Sequence, residues 1–147
     1  MHCCAREAIT GLLASAEDFD PSVVREAATQ IVVWAGELGS PGALEQRAEL
    51  TLSGKIRPAE ALGVLADAYF NMRLAAQQFH AGQSDRIYSR KEDAAGEARA
   101  RTAADALKAK LEPAALAAAE AATTAWTAKG FDALPSWLAP PSPPPTR

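Results

Sequence analysis

Apolar residues recur at steps of three and four along most of the chain, and no stretch alternates apolar and polar positions as a half-buried strand would. The first stripe, Ala5, Ala8, Ile9, Leu12, Leu13 and Ala16, predicts a helix over residues 3–17. Asp20-Pro21 then reads as an N-cap followed by proline at the first helical position, where the missing N–H loses no hydrogen bond. That helix should run to about Leu38, with Val24, Ala27, Ile31, Trp34, Ala35 and Leu38 inward and Gly39 as its stop. Ser40-Pro41 repeats the device for a shorter helix through Leu44, Ala48 and Leu52, ended by Gly54. Pro58 is expected to open a fourth helix, in which Leu62, Leu65, Tyr69, Met72, Ala76 and Phe79 form a seam of the coiled-coil kind. Such a seam usually packs within its own domain, and self-association through it is the alternative.

The pattern breaks at residues 80–83, and a long charged helix is predicted over 85–111, with its stripe late, at Ala100, Ala103, Ala104, Leu107 and Leu111, and Gly96 weakening its middle. Glu112-Pro113 separates it from an alanine-rich helix over 113–128, because the residue before a proline is pushed out of the α region. Beyond it Phe131, Leu134, Trp137 and Leu138 should dock on the bundle, and the prolines from Pro140 onward should form an extended, disordered tail. The expectation is an all-α protein with one domain of five to six helices over residues 1–138, a bundle or stacked helical hairpins, and a tail over 139–147.

Composition narrows the function. Of 147 residues, 48% are hydrophobic and 22% charged, which is a globular balance, and alanine dominates the apolar share. A net charge of −3 supplies no broad attraction to phosphate backbones. The longest apolar run, Ile31 to Ala35, is too short to span a bilayer, no secretory signal is legible, and a cytoplasmic location is expected. Cys3 and Cys4 are adjacent and make a poor structural disulfide, and with His2 they fall short of a zinc site.

No catalytic constellation is present. Only His2 and His80 are available as bases, no glycines cluster as a phosphate loop, and Gln77 stands where a di-metal bundle would need an acid before His80. No cofactor or metal is therefore expected. The favoured reading is a non-enzymatic interaction protein with Tyr69, Met72, Phe79, Trp126, Phe131 and Trp137 as candidate contact residues, each of which core packing would explain equally well. A second reading is a nucleic-acid-associated subunit that uses Arg86, Arg90, Lys91, Arg99 and Arg101. There a solvated face laced by pairs such as Glu97–Arg101 is the simpler account. A third is a bundle with a polar pocket formed by Asn71, Gln77 and His80.

The run from Asp67 to Gln77 (Asp-Ala-Tyr-Phe-Asn-Met-Arg-Leu-Ala-Ala-Gln) resembles the second helix of a Sel1-like repeat, a relative of the tetratricopeptide repeat. Leu107 to Trp126 is similar to the closing helices that follow such repeats, and the likeness spans residues 61–126. It implies a scaffold whose concave face takes a peptide or protein partner.

Overall fold

Asp20 caps the first described helix: its carboxylate accepts hydrogen bonds from the Ser22 N–H at 2.9 Å and the Ser22 hydroxyl at 2.8 Å. The N–H bond first, then the hydroxyl, holds the carboxyl below its ordinary range. The computed structural model describes residues 20–84 and 90–130, the side chains of Ser84, Arg90 and Lys91 aside. Five helices account for most of these residues: α1 (Pro21–Glu37), α2 (Pro41–Leu52), α3 (Val64–Ser84), α4 (Arg90–Lys108) and α5 (Pro113–Ala125). No strand occurs among the described residues, so the fold is all-helical as expected. The helix expected at 3–17, the aromatic piece after Gly130 and the proline tail lie outside the described residues.

Local stereochemistry sets most boundaries. Prolines open α1, α2 and α5. Both α1 and α2 close with a glycine in the left-handed region, Gly39 at φ 88° and Gly54 at φ 74°. In each, the next N–H reaches back five residues, Ser40 to the Ala35 carbonyl at 3.0 Å and Lys55 to the Leu50 carbonyl at 2.9 Å, the bond that defines a Schellman cap.

The start of α3 differs from the sequence reading. Pro58 opens only a single turn, with Leu62 N–H on the Ala59 carbonyl, and the helix begins at Val64. A buried polar cluster explains the delay. Asp67 accepts from the Ala59 N–H at 3.3 Å, from the Thr51 hydroxyl at 3.1 Å and from the Asn71 amide at 3.3 Å, which pins the 53–63 loop against the first turn of α3.

The helix α3 lies at the centre, packed on α2, α4 and α5, whereas α1 packs mainly on α2. Alanines outnumber all other apolar residues in the described core, which lets helix axes approach closely. Between α3 and α4 the Phe79 ring lies directly on the backbone of Gly96. That glycine is a contact surface as well as a weak helix former. The buried face of α1 is Val24, Ala28, Val32, Ala35 and Gly36, rotated from the expected stripe. Ile31, Trp34 and Leu38 are half-buried and Val23 is exposed, so α1 is apolar over a wider arc than α2 covers. On α2, Leu44 and Ala48 are buried as expected, whereas Leu52 is exposed and Glu45 and Thr51 are buried.

Candidate functional site

Tyr69, Met72 and Phe79 are interior side chains. From Tyr69 onward the seam packs inside the domain, Tyr69 and Met72 with Ala48, Ala104, Leu107 and Ala119, and Phe79 with Leu44, Leu74 and Ala100, whereas Leu65 at its start is exposed and Leu62 lies in the turn before α3. The Tyr69 hydroxyl donates to Glu120 Oε1 at 3.1 Å, and burial together with this bond raises the phenol above its ordinary pKa. Trp126 is partly buried against the Phe79 cluster. Phe131 and Trp137 lie outside the described residues.

The basic residues of α4 are engaged internally wherever their side chains are described. Arg99 makes a two-pronged contact with Glu45, Nε to Oε2 at 2.8 Å and Nη2 to Oε1 at 2.6 Å, and its guanidinium sits 5.9 Å from the Phe79 ring centre. The Glu45 bond, opposed by burial and aided by charge, raises the Arg99 pKa. Arg101 pairs with Glu97 along the helix, as the spacing predicts. Arg86 lies outside the described residues, and Arg90 and Lys91 are placed only as the first residues of α4.

Asn71, Gln77 and His80 do not converge. Asn71 is fully buried and bonded to Asp67, while Gln77 and His80 are exposed. The expected break at residues 80–83 is absent, since α3 continues to Ser84 and His80 is not a helix terminus. Its Nδ1 lies 3.2 Å from Glu97 Oε2, which also accepts from Gln83 at 2.6 Å. Burial works against the Glu97 charge, but the bonds from Gln83 and His80 and the nearby Arg101 hold its carboxyl below the ordinary value. Among the described residues no group of three or more His, Cys, Asp or Glu is placed to hold a metal ion. No described helix is long and apolar enough to cross a membrane.

A concavity lies elsewhere, between α1 and α2, with a volume of about 930 Å³. Ala28 and Val32 of α1, Leu50 of α2 and Ile56 of the following loop form an apolar floor. Arg25, Lys55 and Arg57 stand on its rim with Glu26 and Glu49. No ion pair among the described residues engages the three cations, and Arg25 Nε donates to the Pro21 carbonyl. The Schellman cap positions the rim, since Lys55 and Ile56 both donate to the Leu50 carbonyl, at 2.9 and 3.3 Å. The groove was not foreseen because it depends on two helices meeting. The local signal was Lys-Ile-Arg between Gly54 and Pro58, an apolar residue flanked by two cations in a turn.

No family model, curated protein or solved structure matches the chain.

Proposed function

We propose that this chain is a non-enzymatic protein–protein interaction module, an adaptor or accessory subunit of a larger complex. It takes an amphipathic helical segment of a protein partner in the α1–α2 groove. The observation that carries this reading is the groove itself, with an apolar floor from Ala28, Val32, Leu50 and Ile56 beneath Arg25, Lys55 and Arg57, none of which is in an ion pair among the described residues. An apolar floor with a charged rim suits a helix that offers side chains at i, i+3, i+4 and i+7. Arg25, Lys55 and Arg57 favour acidic residues flanking that stripe and raise the rate of encounter. The resemblance of α3 to a Sel1-like helix points the same way, toward a helical scaffold that holds a partner. We take the module to work in the cytoplasm, where a pair of adjacent cysteines has no disulfide to form.

The test compares capture from a lysate of the native host by wild type and by Lys55→Glu/Ile56→Asp/Arg57→Glu, with circular dichroism to show that the variant stays folded. These positions lie in a loop, Lys55 and Arg57 exposed and Ile56 only partly buried, so the fold should persist. The reading expects a protein retained by wild type at low salt and lost with the variant. Identical retention by both would remove the groove as the contact surface.

A further inference from the structure

We propose that residues 5–16 of this same chain occupy the α1–α2 groove in cis, so that a partner must displace a built-in competitor. This rests on the groove being a helix-docking surface. Three observations select that occupant.

The first is position. The groove lies along residues 25–32 of α1 and the C-terminal half of α2, and begins about one helical turn from the point at which the chain enters α1. Asp20 has φ −55° and ψ 117° and caps α1, so the preceding chain leaves the helix axis there. A helix over residues 3–17 is about 22 Å long at 1.5 Å per residue, enough to run antiparallel along α1 past Val32. The other end of the described chain is less well placed. The Lys129 N–H and ammonium both bond to Glu37, at the far end of α1.

The second is pattern. The stripe Ala5, Ala8, Ile9, Leu12, Leu13 and Ala16 is the motif the groove would receive from any partner. On α1, the part-buried Ile31 and the exposed Val23 extend the apolar arc beyond what α2 covers. The third is charge. Within residues 5–16 Glu7 balances Arg6, and Glu17 and Asp18, which follow directly, would come down beside the Arg25, Lys55 and Arg57 end of the groove. Residues 131–147 carry one acid, Asp132, and offer no such match.

An antiparallel hairpin turning at residues 18–20 pairs positions whose numbers sum to about 38. In a full-length background of Cys3→Ser/Cys4→Ser, the pairs Ile9→Cys/Thr29→Cys and Leu12→Cys/Glu26→Cys are oxidised under mild conditions. The cross-linked peptides are then identified by mass spectrometry. A disulfide within one chain at either pair is the expected result. No cross-link at either pair, or cross-links between chains only, overturns the proposal, and the second outcome gives the groove to another copy. In parallel, Ile9→Asp/Leu12→Asp should speed amide hydrogen exchange in residues 25–32 at least several-fold, and an unchanged rate also counts against cis docking. The same variant should capture more partner than wild type. A cross-linked hairpin whose partner capture ignores groove substitutions would leave the cis contact standing and remove only the partner-docking reading.

Discussion

Replacing Gly96 by alanine sets two opposed effects against each other. In a helix interior the change gains about 1 kcal/mol of intrinsic propensity. The added Cβ, however, would lie 2.5 Å from Phe79 Cε1, 2.6 Å from Cζ and 2.8 Å from Cδ1, well inside contact distance. The ring has little room to retreat, because Leu44, Leu74 and Ala100 pack around it and the Arg99 guanidinium, tied to Glu45, sits over it. Forcing such a group aside typically costs about 1–3 kcal/mol. The net expectation for Gly96→Ala is destabilisation of about 1 kcal/mol. Urea unfolding followed by circular dichroism reads this as a lower midpoint at unchanged slope. Gly82→Ala is the internal control. It too is helical, but its Cβ would meet only Asp93 Oδ2, at 3.5 Å, so it should stabilise by up to about 1 kcal/mol. In a Phe79→Leu background, which removes two of the three clashing atoms, Gly96→Ala should turn neutral or stabilising. If Gly96→Ala stabilised the wild type as much as Gly82→Ala does, the close approach of α3 and α4 would be refuted.

Three further substitutions probe the polar contacts. Asp67→Ala should destabilise by about 1–3 kcal/mol, because the Ala59 N–H loses its acceptor while Thr51 and Asn71 keep main-chain partners. Faster hydrogen exchange across residues 53–63 would localise the damage to the loop. Arg99→Met keeps an apolar stem over Phe79 but leaves the largely covered Glu45 unpaired, a loss on the order of 1 kcal/mol that added salt should shrink. Adding Glu45→Gln should recover part of that loss, and strict additivity of the two changes would show that the pair is not coupled. The Glu97 carboxyl titrates below its ordinary 4.5 in the folded protein, so its contribution is complete above that pH and drains away as pH falls through the folded value. Wild type should therefore lose stability relative to Glu97→Gln below about pH 4.5, and parallel stability curves would contradict this.

Features decided by neighbouring residues were legible from the chain. Pro21, Pro41, Gly39, Gly54 and Pro113 mark helix boundaries through backbone stereochemistry, and each acts where the pattern puts it. Pro58 carries the same signal, yet α3 waits until Val64, because a hydrogen bond from Ala59 to Asp67, eight residues on, decides the loop. The inward face of α1 was displaced for a different reason. With Val23, Val24, Ala27, Ala28, Ile31 and Val32 all apolar, several faces fit the spacing, and only the position of α2 selects one. Gly96 looked like a weakness because propensity counts only its own helix, whereas its use is set by a ring on another. The groove belongs to the same class, since none of its walls is distinctive until Ile56 is turned back over Leu50.

The peripheral place of α1 carries a consequence for how occupancy would be detected. A helix held chiefly by one neighbour is the piece most easily peeled away, by an opening that leaves α3 and its companions intact. Anything seated across the groove grips α1 and α2 together and acts as a clasp on that loose outer plank. A ligand at one hundred times its dissociation constant would add about 2.7 kcal/mol against such peeling. The gain would register in the protection of α1 amides ahead of any change at the centre.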